Sequence, residues 1–160
     1  MLNSAPSAPL SPELLNKLTY ISPNEHEAAD LTNIPITKKD GILDIDSVKK
    51  AAAKLLEMGV KNVIITLGSN GVAFMNSETF IYKPCVDIVE VVDPTAAGDS
   101  FVGAFCTAVA SGKNYDEALD YANYTATLTV SRMGAQPSLP SNEEVEELID
   151  THKKQLQKEN

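Results

Sequence analysis

The 160-residue sequence has no tryptophan, one arginine, two histidines and two cysteines. Cys85 and Cys106 share no metal or redox spacing, so both read as reduced, structural thiols, Cys106 on an apolar helix face. His26 and His152 lack partners at catalytic spacing and read as surface residues. Cations are scarce: 13 Lys and Arg stand against 22 Asp and Glu, a formal net charge of −9. Such a chain repels nucleic acid and anionic membranes, so neither is expected as a partner. No apolar run approaches the ~18 residues that span a bilayer, and the opening MLNSAPSAPLSPELL lacks a basic region followed by an apolar one. The expected setting is soluble and cytoplasmic. Neither GxxxxGK[ST] nor GxGxxG occurs, which argues against a P-loop and a dinucleotide-binding fold.

What is present suits one domain. Hydrophobic residues make up 43% of the chain, enough for a core. Ser11 before Pro12 opens a short helix, SPELLNKL, and YIS at 20–22 is a brief strand. Asn24 with Glu27 three residues on forms a capping pair, and Asp46 is placed as the cap of DSVKKAAAKLLEMG, closed by Gly59. Val48, Ala52, Leu55 and Leu56 form its apolar stripe. NVIITLG at 62–68 is a β-branched run expected as a strand buried on both faces. GSNG turns the chain, VAFM and FIYK flank NSET as a hairpin, and VDIVEVVD is expected as a further strand. Three helices follow: SFVGAFCTAVASG, then a segment capped by Asn114, then one capped by Ser141 with Glu144. Strands alternating with helices predict an α/β layered domain with a largely parallel sheet, ligands binding at the strands' C-terminal ends. It is expected to span 1–150, with 151–160 as a frayed polar tail.

The chemistry concentrates in DPTAAGDS. A helix N-terminus carries about half a positive charge and unpaired N–H groups, so it attracts phosphate. Ala96, Ala97 and Gly98 are small enough to admit a phosphate to the backbone, and Gly98 is expected to permit an unusual φ/ψ. Asp99 falls in the first turn, where the dipole favours an anion and a carboxylate can accept a proton from a substrate hydroxyl. Donors aimed at a phosphoryl group, with a base beside the nucleophile, are what phosphoryl transfer requires. The residues alone leave a second reading open, in which Asp99 caps a helix and the small residues permit close packing.

DPTAAGDSFVGAF resembles the signature of the ribokinase-like (PfkB) carbohydrate kinases, DTxGAGD followed by an aromatic and small residues. SPNEHEA, VIITLGSNGV and SRMGAQPSLP, in the same order, place the resemblance in the ribokinase branch. It implies the three-layer α/β/α fold of that family and an ATP-dependent phosphorylation of a sugar hydroxyl, D-ribose to D-ribose 5-phosphate. It implies Asp99 as catalytic base, an anion hole of Ala96, Ala97, Gly98 and Asp99, and ATP-phosphate contact by Asn24. Glu27 would organise Mg²⁺ through water. Thr66, Leu67, Gly68, Ser69, Asn70 and Gly71 match the nucleotide loop, and Asn123 an adenine-side position. A K⁺ site is implied at Asp93, Thr95, Thr129, Arg132, Gly134 and Ser138, with Pro94 in place of the usual Thr.

In that family the sugar contacts, a Gly-Gly motif and a β-stranded lid lie in the N-terminal half, and this chain has no Gly-Gly pair. The resemblance therefore implies the C-terminal portion of the fold, completed by the missing N-terminal half or a partner chain, with a homo-oligomer for the full enzyme. Other readings are another family member, such as a fructokinase or nucleoside kinase, and a non-catalytic nucleotide-binding fragment.

Overall fold

The computed structural model describes residues 1–159. They divide into two compact units, Met1–Cys85 and the residues from Val86 onward, a division with no signature in composition.

The first unit is built on a five-stranded sheet whose spatial order is β1 (Leu2–Asn3), β2 (Tyr20–Ser22), β5 (Asn62–Thr66), β6 (Val72–Asn76), β7 (Phe80–Lys83). β1, β2 and β5 run parallel; β6 and β7 are antiparallel to their neighbours, as the hairpin around NSET requires. Parallel strands need long crossovers, and between β2 and β5 the chain supplies α2 (Glu25–Thr32) and α3 (Ile45–Glu57). Val48, Ala51, Ala52 and Leu55 form the buried stripe of α3 and pack with Ile21, Val63 and Ile65. Leu56, expected in that stripe, is only half-buried. Val63, Ile64 and Ile65 are wholly inaccessible, which explains why β5 reads as a continuous β-branched run.

Three local expectations are corrected here. α1 is a single turn, Pro12–Leu15, capped by Ser11. α3 is capped by Asp44 rather than Asp46; Asp46 lies in the first turn and donates its N–H to the Asp44 carboxylate. A two-stranded ribbon, β3 (Lys38–Lys39) with β4 (Ile42–Leu43), was not anticipated. Its signal is Asp40-Gly41, both at positive φ (52° and 82°), the dipeptide that two-residue hairpins favour.

The second unit contains α4 (Ala97–Ala110), α5 (Tyr115–Val130) and α6 (Asn142–Glu159). VDIVEVVD forms no strand. Val91 and Val92 are 63% and 51% exposed, and the N–H groups of Val92 and Asp93 both donate to the Val130 carbonyl at the end of α5. β-Branched residues favour a ladder, but a ladder needs a neighbour, and none lies beside 86–93 among the described residues. The residues expected as a frayed tail instead continue α6 through Glu159; Asn160 lies outside the described residues. His152 is not a free surface residue: its Nδ1 lies 2.8 Å from the Tyr124 hydroxyl, tying α6 to α5. No helix among the described residues is long and apolar enough to cross a membrane.

After β5 a single 3-10 turn at 68–70 ends on Gly71, at φ 95°. A Cβ there would collide with the Lys83 carbonyl oxygen at the end of β7. Both the left-handed φ and the collision act against any side chain. Gly71→Ala is expected to lower unfolding free energy by about 3 kcal/mol, read by urea denaturation; a loss under about 1 kcal/mol would show that the loop relaxes freely.

Candidate active site

In the first unit the C-terminal ends of the parallel strands carry the motif residues. Thr66 forms an isolated parallel bridge with Asn24 and donates its N–H to the Pro23 carbonyl at 3.0 Å. The SPNE segment and the loop Thr66, Leu67, Gly68, Ser69, Asn70, Gly71 are thus neighbours, as expected. Leu67 is buried beneath the loop, Gly68 and Ser69 are exposed, and Asn70 is held by the Leu67 carbonyl. The Tyr82 hydroxyl donates to the Asn70 carbonyl at 2.7 Å and pins the loop tip to β7.

Asn24 and Glu27 form a complete capping box at the start of α2. Asn24 Oδ1 accepts from the His26 and Glu27 N–H groups, each at 2.9 Å, and Glu27 Oε2 accepts from the Asn24 N–H at 2.9 Å. This commits one terminal atom of each side chain. The Asn24 Nδ2 donors and the Glu27 Oε1 lone pairs take no part in the box.

The second unit holds the DPTAAGDS turn. Every other helix here begins with a side-chain cap: Ser11, Asn24, Asp44, Asn114 and Ser141 each accept from a first-turn N–H. α4 has none. Its N-cap is Ala96, in the left-handed region at φ 64°, with no side-chain cap. Gly98, expected to carry the unusual backbone angle, is not among the positive-φ residues; the strain lies at Ala96. Ala97 N–H donates weakly to the Pro94 carbonyl at 3.3 Å, so that member of the expected anion hole is partly engaged. A Cβ built on Gly98 meets no protein atom within 4 Å. The first turn of α4 therefore lacks a side-chain cap, and Asp99, exposed at its third residue, borders a pocket of about 440 Å³ with Ala96, Tyr121, Thr125 and Gln136 among its walls.

Behind the turn, Asp93 fastens the loop. Its carboxylate accepts from the Thr95 N–H at 2.9 Å and the Gly134 N–H at 2.8 Å. Hydrogen bonding from Thr95, through side chain and N–H, and then from Gly134 N–H holds the Asp93 carboxyl below the usual aspartate range. Thr129 and Ser138 are wholly buried, their hydroxyls donating to the Thr125 and Ala135 carbonyls. Arg132 makes a bidentate pair with Glu144, at 2.7 and 3.3 Å. Asn123 is buried on α5.

These donors bear on the ions the resemblance implies. No group of three or more His, Cys, Asp or Glu side chains that could hold a metal occurs among the described residues. The Asp93 carboxylate is an oxygen donor of the type hard cations take, and a single carboxylate such as Glu27 suits Mg²⁺ that keeps its waters and its phosphate ligands. The donor chemistry at both positions fits.

The model of the pfkB family carbohydrate kinases matches residues 1–142. This chain belongs to that family. The kinase-family chain is 42% identical to a ribokinase of Schizosaccharomyces pombe over 149 residues, 91% of this chain and 45% of that protein. A ribokinase of Haemophilus influenzae is 38% identical over 152 residues, 94% of this chain and 47% of the other. Among solved structures, ribokinase from Thermotoga maritima superposes with a TM-score of 0.79 at 38% identity, covering 92% of this chain and 48% of its own. Arabidopsis thaliana ribokinase complexed with ribose and ATP gives 0.81 at 37% identity, covering 88% and 44%. The chain spans about half the length of the curated relatives it matches. The α/β expectation agrees with these neighbours, with a sheet that is mixed: parallel at β1, β2 and β5, antiparallel at β6 and β7.

Sequence reasoning missed the strain at Ala96. Its signal is alanine where the family's usual motif has glycine. An alanine held in the left-handed region costs about 1–2 kcal/mol, partly offset in Ala96→Gly by the greater freedom of the unfolded chain. Ala96→Gly should therefore stabilise the chain by about 0.5–1 kcal/mol, seen as a raised urea midpoint; destabilisation would count against the strained turn. The Asp93 linkage has a definite sign. A carboxyl lowered on folding contributes stability above its unfolded pKa, and that contribution is lost as pH falls through the folded value. Asp93→Asn should be less stable than wild type at pH 7, with the gap closing as pH drops below about 4. A pH-independent gap would detach Asp93's role from its charge.

Proposed function

We propose that the whole protein transfers the γ-phosphoryl group of Mg·ATP to a primary hydroxyl of a sugar, O5 of D-ribose, and that this chain supplies the nucleotide site, the anion hole and the catalytic base. The observation that carries the reading is the uncapped first turn of α4, with Asp99 at its third residue. Five of the six helices take a side-chain acceptor for a first-turn N–H and α4 takes none, which leaves the N–H groups of its first turn suited to an acceptor from outside the chain. A phosphate matches their charge and geometry.

In this reading Asp99 accepts the proton of the sugar hydroxyl as the hydroxyl oxygen attacks phosphorus. The N–H groups of Ala96, Gly98 and Asp99, with weaker help from Ala97, face charge developing on the transferred group. Asn24 Nδ2 would donate to ATP phosphate oxygens, Glu27 would help hold Mg²⁺ through water, the loop Thr66 to Gly71 would hold the nucleoside, and Asn123 would take the adenine-side role that the resemblance implies. The ion, when bound, neutralises phosphate charge. Asp93, with Thr95, Thr129, Arg132, Gly134 and Ser138, would hold K⁺ and fix the loop behind the anion hole. Ribose as acceptor draws support from the ribokinase relatives and from the Arabidopsis enzyme complexed with ribose and ATP.

Calorimetric titration of this chain with Mg·ATP in potassium buffer tests the assignment. The Cβ of Gly98→Val enters space with no neighbouring side chain, so the variant is expected to fold, as thermal melts would check, yet to obstruct a phosphate. Saturable binding abolished by Gly98→Val and kept by Asp99→Ala is the expected result. In the whole protein Asp99→Ala should lower kcat about a hundredfold or more, with the KM for ATP little changed. An unchanged kcat would remove Asp99 from the base role. Absence of binding by the folded chain would overturn the claim that it carries the nucleotide site.

A further inference from the structure

Beside the capping box lies a group of polar side chains with no part in it. Ser4, immediately after β1, and Ser22, the last residue of β2, stand at the ends of neighbouring parallel strands, where Asn3 pairs with Ser22 in register. Both are buried, as is Glu27. The Ser4 hydroxyl donates to Glu27 Oε2 at 3.4 Å, across 23 residues of sequence. Ser22 Oγ is buried without any hydrogen-bond partner. A buried hydroxyl with nothing to bond is uncommon in a folded protein and points to a ligand or ordered water that would complete it.

We infer that Ser4 is the positioning residue for the Glu27 carboxylate, fixing Oε2 so that Oε1 alone is presented to the hydrated divalent cation of a nucleoside triphosphate. The inference rests on the reading of Glu27 given above. A carboxylate on a two-carbon stem rotates between equivalent oxygens unless one is tied down, and the capping box ties Oε2 with one N–H only. The Ser4 hydroxyl adds a second donor to the same oxygen from a different element, the end of an edge strand. At 3.4 Å the bond is long, so its effect is to bias one rotamer of the carboxylate rather than to lock it. Outer-shell partners of this kind orient ligating groups, and removing one weakens metal affinity without touching the metal.

Ser7 supplies an internal control. Its hydroxyl donates to Asp30 Oδ2 at 2.7 Å, joining the same loop to the same helix without reaching Glu27. The test is ATP affinity measured calorimetrically across a magnesium series, with thermal melts confirming folding. Ser4→Ala should raise the magnesium concentration needed for tight ATP binding about tenfold, leave the weak metal-free affinity for ATP unchanged, and differ from Ser7→Ala, which stays at wild type. Ser4→Thr and Ser4→Val repeat the contrast at one side-chain volume: the threonine retains the magnesium dependence and the valine loses it. Wild-type magnesium dependence in Ser4→Ala, equal shifts in Ser4→Ala and Ser7→Ala, or equal values for the threonine and valine variants overturn the inference while leaving the nucleotide site standing. If wild type shows no magnesium-dependent ATP binding, the site assignment falls and the inference with it.

Discussion

An α-helix leaves its first N–H groups without partners inside the helix, and this chain deals with that constraint in two opposite ways. At α1, α2, α3, α5 and α6 a Ser, Asn or Asp side chain accepts from the first turn. At α4 an alanine stands in the cap position, twisted into the left-handed region. Each ordinary cap contributes about 1 kcal/mol, and alanine in that conformation costs about as much again. Such a local departure, in a chain otherwise consistent with the rules, is where selection for something other than stability is expected. The carboxylate two residues inside the helix and the open space beyond Gly98 give the departure a chemical sense.

The surrounding structure holds the turn in that state. Asp93 receives N–H donors from Thr95 just ahead and from Gly134 beyond α5, while the N–H groups of Val92 and Asp93 converge on the last turn of α5. The turn is thus bracketed by hydrogen bonds to the end of one helix, which is how a strained residue is kept from relaxing. Threonines on α5 reinforce this: the hydroxyls of Thr125 and Thr129 donate to carbonyls four residues back, leaving buried hydroxyls satisfied inside the helix.

Much of this was legible in the sequence because its signals are local. NVIIT betrays a strand buried on both faces, and Asn-x-x-Glu before α2 and α5 betrays a capping box, since hydrophobic period and cap chemistry act within a few residues. The strand expected in VDIVEVVD failed for the complementary reason. β-Branched alternation reports what a segment would do beside a neighbour, and the neighbour is a long-range fact; the same backbone groups found the Val130 carbonyl instead. Ala96 escaped notice because a left-handed alanine leaves no trace in periodicity. Ser4 escaped because its partner lies 23 residues away. The ribbon around Asp40-Gly41 was readable and was passed over.

Asn24 and Glu27 resolve what first looks like a choice between a structural and a functional pair. An amide side chain has an acceptor end and a donor end, and a carboxylate has two oxygens. The capping box takes the acceptor of Asn24 and one oxygen of Glu27, which fixes both side chains and leaves the amide donors and the second oxygen aimed by the same bonds that cap the helix. Structural use of one atom is what makes its neighbour useful to a ligand, because a group held by packing and hydrogen bonds does not have to be ordered at the moment of binding. In the proposed reading the two motif-bearing regions meet an anion by different physics. At α2 side chains cap the first turn and present their remaining atoms; at α4 no side chain caps it and the backbone itself is presented.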